Sequence, residues 1–93
     1  MDRKLLADIL EKTSGLDKKD GDNLAEGEHR ASVYLGATGG TTVLTEIVRL
    51  SLQDSYLEAE AKDGTVHYVV YEPVFGLAVR GPRDGGPGSR TGF

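Results

Sequence analysis

From residue 30 onward the apolar residues of this chain recur at every second position. That period fits strands and not helices over most of the sequence. Ala31, Val33 and Leu35 alternate with Ser32, Tyr34 and Gly36, and Gly39-Gly40 then punctuates. The run Thr41 to Leu52 carries Leu44, Val48, Leu50 and Leu52 on one parity and Val43, Thr45 and Ile47 on the other. Apolar groups on both parities predict a strand that bends and changes its buried face partway. Leu57, Ala59 and Ala61 alternate with Tyr56, Glu58, Glu60 and Lys62, which separates an inner from an outer face. Asp63-Gly64 predicts a tight hairpin, because a type I′ turn requires positive φ at both central positions. Thr65 to Tyr71 is rich in β-branched and aromatic residues. Glu72-Pro73 interrupts it, since proline cannot donate to a ladder. Val74 to Arg80 makes a last short strand.

Five strands joined by short loops predict an antiparallel meander. A chain of 93 residues has room for one domain and a small core, burying roughly 60–65% of its unfolded surface. A flat sheet of this size would leave two exposed edges over little core. Curling it into a small barrel removes edge and surface together, so residues 29–80 are expected to form a bent five-stranded antiparallel barrel.

Residues 1–28 read differently. Leu5, Leu6, Ile9 and Leu10 lie on one face of a 3.6-residue period, and Asp2 is placed to cap the first turn. Gly15 is a natural stop. So short a helix is marginal alone in water, so its apolar face must dock on the domain's own sheet, a second subunit or a partner. Residues 14–28 read as an acidic polar linker. Asp17, Asp20 and Asp22 around Gly21 invite a calcium reading, but setting Gly21 at the sixth position of an EF-hand loop puts Leu16 first and Lys18 third. No metal site is expected there. Residues 81–93 hold five of the 13 glycines and two of the three prolines and read as a disordered tail. Arg80, Arg83 and Arg90 make only a thin basic signal at that end.

Composition narrows the chemistry. The absence of cysteine removes disulfides, thiolate nucleophiles and Cys-based metal sites. A net charge of −4 gives no overall attraction to phosphate backbones. No stretch approaches the roughly 18 apolar residues of a membrane span, no signal-like segment opens the chain, and a cytoplasmic location is expected. The histidines are His29 and His67, and no acid or nucleophile partner is evident for either. Glu58 and Glu60 share one strand face, the usual pattern of a solvated side. Gly36 to Gly40 lacks the following helix and the Gly-Lys-Ser/Thr of a phosphate loop. Neither catalysis nor a cofactor is expected.

Three segments, in order after an N-terminal helix, carry a family resemblance: Val33-Tyr34-Leu35, Leu50 to Leu57, and Val69 to Val79. Together they resemble the Sm-like family, in particular its bacterial Hfq-type branch. The resemblance implies a helix followed by a bent five-stranded SH3-like/Sm-like barrel. Subunits of that family join edge to edge, fourth strand to the neighbour's fifth, into RNA-binding rings. Asp54-Ser55-Tyr56 resembles the family's Asp-Gln-Phe/Tyr stretch, whose aromatic stacks on a base, and Tyr71-Glu72-Pro73 falls where the bacterial branch has Tyr-Lys-His. By resemblance, Asp54, Ser55, Tyr56 and Tyr71 are the candidate RNA-binding residues, and the expected function is a homo-oligomeric assembly module with weak or altered RNA binding. A second reading is an SH3-like barrel that mediates protein–protein interaction in bacterial regulation. Its acidic groove, from Glu46, Glu58, Glu60 and Glu72, would prefer a basic protein partner.

Overall fold

A computed structural model describes residues 1–81. The expectation for the rest of the tail, including Arg83 and Arg90, lies outside the described residues. Helix α1 spans Arg3–Lys12. Asp2 caps it, its Oδ1 accepting from the Leu5 amide at 2.8 Å, which satisfies an orphan donor of the first turn. Leu6 and Leu10 are buried and Leu5 faces out. The apolar face docks on the chain's own sheet: Leu6 and Leu10 belong to one core with Ile47, Leu50, Leu57 and Val74.

Seven strands follow: β1 (Leu16–Lys19), β2 (Asp22–Ala25), β3 (Arg30–Ala37), β4 (Gly40–Leu52), β5 (Tyr56–Ala61), β6 (Val66–Val70) and β7 (Val74–Arg80). All pairings are antiparallel. The last five match the strands read from the alternation. They connect β7–β3–β4–β5–β6, with β4 central. The sheet curls into a half-barrel.

The strand count and the segment 14–28 require correction. That segment is a hairpin, β1–β2, not a linker. Asp20 (φ 54°) and Gly21 (φ 86°) form its two-residue turn, with Lys19 opposite Asp22. β2 then pairs with the C-terminal half of β4, setting Asn23 beside Leu50. Leu-Asp-Lys-Lys and Asp-Asn-Leu-Ala show no clean alternation, because the hairpin hangs on backbone pairing with β4 and buries only Asn23. At the Asp63-Gly64 hairpin the position is as expected but the turn is not type I′. Only Gly64 has positive φ (95°). The Gly64 amide donates to the Ala61 carbonyl and the Ala61 amide to the Thr65 carbonyl, so a three-residue loop closes with glycine in the left-handed region.

The bend expected in β4 is present. Its inward residues fall at Leu44, Ile47, Leu50 and Leu52, steps of three, three and two. Two residues are therefore absorbed as bulges. One lies between Leu44 and Ile47, opposite Val33 and Ala31; the other lies between Ile47 and Arg49, opposite Ala61 and Glu60. Glu46 takes φ 58° at the first, a conformation that costs an L-residue about 1–2 kcal/mol. The bend turns the two halves of β4 toward different neighbours. Its C-terminal half lies between β2 and β5, while its N-terminal half pairs with β3 alone.

The two ends of this core are tied by polar contacts. The Met1 ammonium donates to the carbonyls of Tyr71 (3.1 Å), Glu72 (3.3 Å) and Val74 (2.6 Å). Arg3 donates to the carbonyls of Gln53 and Leu52.

Urea unfolding should find Ile47→Ala destabilising by about 2–5 kcal/mol. Glu46→Gly should leave stability within about 0.5 kcal/mol, because relief of the left-handed strain offsets a more flexible unfolded chain. Glu46→Val should cost about 1 kcal/mol, because a β-branched side chain fits the left-handed region worse than glutamate does. Equal effects of Gly and Val would refute the assignment of the bend to this residue.

Candidate interaction face

Strand alternation sends one side of β1, β2, β4, β5 and β6 into the core and the other outward. On the outer side Arg49 stands opposite Glu60, Glu58 opposite Tyr68, and Tyr56 opposite Val70. Arg49 gathers three carboxylates. Its Nε donates to Glu60 Oε1 at 2.8 Å, Nη2 lies 3.4 Å from Glu58 Oε1, and Nη1 lies 3.6 Å from Asp22 Oδ2. The Glu60 hydrogen bond, more than any other contact, holds the Arg49 guanidinium above its ordinary pKa. The cluster links β2, β4 and β5 across the open side of the sheet.

Next to it lies an exposed aromatic pair. Tyr56 is 36% exposed and Tyr68 68%. Their ring centroids are 6.1 Å apart and the planes are tilted by 56°. Val70, 59% exposed, extends the patch. A second aromatic pair, Tyr34 with Phe75 at 6.1 Å, joins β3 to β7. Tyr34 packs over Gly76, where an added Cβ would stand 3.5 Å from the ring.

The residues carried over by resemblance do not form one surface. Asp54 and Ser55 are exposed in the β4–β5 turn, and Tyr56 presents its ring outward. Tyr71 is buried in the core. Its hydroxyl donates to the Gln53 carbonyl at 2.6 Å, and burial pushes its pKa up. Tyr71 is thus a structural tie under the turn, with its side chain in the core. The four glutamates of the acidic-groove reading lie in three places. Glu46 pairs with Arg80 at 2.8 Å at the bend of β4, Glu58 and Glu60 pair with Arg49, and Glu72 is exposed at the β6–β7 turn.

A cleft of about 620 Å³ opens where β4 diverges from the β5–β6 hairpin, lined in part by Val43, Leu44, Glu46, Ala61 and His67. Asp63 also lines it; the Thr65 amide holds its carboxyl below the usual carboxylate range. Among the described residues, no three His, Asp or Glu side chains converge so as to hold a metal ion.

Sequence reasoning missed Asp22, Arg49 and Tyr68 as members of this face. For β2 the signal was available, since Asp20-Gly21 is the same turn dipeptide that marks β5–β6. For Tyr68 it was not, because a two-residue Asp63-Gly64 turn sets Glu58 opposite Val69, and only the three-residue loop brings Tyr68 opposite Glu58. No protein-family model, curated protein or solved structure matches the chain.

Arg49→Met should cost about 1 kcal/mol, as for a partly exposed ion-pair network, and a second change, Glu60→Gln, should restore part of the loss by relieving carboxylate repulsion. Failure of the double variant to recover would mean that Arg49 acts through packing. Tyr71→Phe should also cost about 1 kcal/mol near neutral pH. Because the Tyr71 pKa is raised on folding, its neutral form contributes stability below about pH 10, and that contribution fades as pH rises through the folded value. The gap between the two proteins should therefore narrow in alkali; a constant gap would contradict the burial effect.

Proposed function

We propose that the chain is a non-catalytic assembly module of the Sm-like kind, whose copies pair strand edge to strand edge. One observation carries this reading: among the described residues, β6 pairs only with β5 and β7 only with β3, and the β6 strand carries no Asp, Glu, Lys, Arg or proline and no bulge. β6 reads Val-His-Tyr-Val-Val, and β7 carries no charge before Arg80. Natural edges are normally blunted by charges, proline or bulges. β1, the third terminal strand, follows that rule, with Asp17, Lys18 and Lys19 in four residues. An edge charged at β1 but uncharged at β6 and along β7 up to Arg80, where β7 is bulged at Phe75, is the pattern expected if the uncharged pair is covered by other copies. Pairing β6 of one copy with β7 of the next is head-to-tail, and such an interface closes into a ring when the rotation allows.

RNA is a secondary ligand in this reading. Tyr56 offers a stacking surface. Arg49 is committed to three carboxylates and Arg3 to two carbonyls, which leaves little phosphate neutralisation beside that ring.

Native mass spectrometry and light scattering should give one closed oligomer. Val70→Lys and Phe75→Lys, at exposed positions on the two edge strands, should each yield folded monomers with unchanged circular dichroism. A wild-type monomer at tens of micromolar, roughly the range for micromolar-affinity assembly, would overturn the proposal.

A further inference from the structure

We infer that the outer face at the β5–β6 end binds the cationic side chain of a basic protein segment, a lysine or arginine seated over the exposed side of Tyr56 and Tyr68 with Glu58 as its counter-charge. This site lies on the sheet face. It is distinct from the edge pairing proposed above, which uses the backbone rims of β6 and β7, and Tyr56 and Glu58 lie on β5, outside those rims.

The geometry suits a cation. Ring faces carry negative quadrupole potential, and a cation within about 6 Å of a centroid is attracted to it. Two exposed rings with centroids 6.1 Å apart and planes tilted by 56° let one ammonium or guanidinium group touch both. Glu58 stands directly opposite Tyr68 in the ladder, so a carboxylate borders the same spot. Its contact to Arg49 is the long one at 3.4 Å, against 2.8 Å for Glu60, and so it is the less committed of the two.

The charge of the whole face selects the partner. Register places Asp17 and Lys19 of β1, Asp22 of β2, Arg49 of β4 and Glu58 and Glu60 of β5 on one side. Four carboxylates against two cations leave two negative charges in excess, since Lys62 lies beyond β5 and lines the cleft instead. A phosphate backbone laid along the rings would meet those carboxylates, and a second copy of this face would carry the same sign. A basic segment is complementary to it, and the chain's net charge of −4 assists its approach.

The test uses the full-length protein and four probes: a lysine–glycine peptide, an arginine–glycine peptide, the lysine peptide fully acetylated, and an oligouridylate. Ring resonances of the tyrosines are followed by NMR as each is titrated. The cationic peptides should shift Tyr56 and Tyr68 together, binding should weaken with added salt, and acetylation should abolish it. Tyr68→Ala should lower affinity about three- to fivefold; since it also breaks the ring pair with Tyr56, the comparison is made where circular dichroism shows both proteins folded. Glu58→Gln should lower it by a similar factor. Equal binding of the acetylated peptide, shifts confined to other residues, no saturable binding, or an unaltered affinity in Tyr68→Ala would each overturn the inference. Oligouridylate shifting the same rings more strongly than the peptides would assign the face to RNA instead. An oligomer that falls apart or never forms bears on the edge proposal alone, because these rings and Glu58 belong to a single copy.

Discussion

The double bulge of β4 is the constraint on which the remaining architecture rests. A regular strand of this length would present every second residue to one face and could line only a flat sheet. By inserting two residues, β4 delivers Leu44, Ile47, Leu50 and Leu52 to one curved interior. The cost is local, a left-handed Glu46. The gain is a core shared by both halves of the sheet and closed by Leu6 and Leu10 of α1. The same bend separates β4 from the β5–β6 hairpin, which opens the cleft beside His67. It also frees the C-terminal half of β4 to accept β2.

That extra pairing shapes the outer face. With β2 in place, Asp22 reaches Arg49 from one side while Glu58 and Glu60 reach it from the other. A buried ion cluster of this size would be expensive, but on an open face it can be tolerated and sets a negative field. The tyrosines beside it owe their exposure to the short ladder of β5 with β6, beyond which no described strand lies. Edge, aromatic pair and charge excess are therefore consequences of one topology.

Much of this was legible in the residues. Helix α1 and its Asp2 cap followed from a four-residue apolar stripe and a capping side chain, and β3 to β7 followed from alternation. The bend in β4 followed from apolar groups on both parities, a signal that survives because burial must continue through a bulge. The β1–β2 hairpin was hidden because it buries little, so no hydrophobic period marks it. Its Asp20-Gly21 turn was read for metal ligation instead of for backbone shape. Tyr71 was misplaced for a related reason. A tyrosine can serve either as a ligand platform or as a tie to a buried carbonyl, and only the fold decides which. Arg49 and its three partners sit on three strands, and no local window of sequence contains them together.

The attachment of α1 has a temporal consequence. The helix is made before the sheet, yet part of its seat is built from residues some 70 positions later: Tyr71 and Val74 in the core, and the carbonyls of Tyr71, Glu72 and Val74 around the Met1 ammonium. Contacts spanning some 70 residues are the slowest to form, because the intervening chain must be ordered before they add stability. During synthesis the burial of Leu6 and Leu10 therefore stays incomplete until β7 has begun. The nascent chain carries a greasy stripe whose safe burial comes last, and the interval before that burial is its period of greatest exposure to mispairing and chaperone capture.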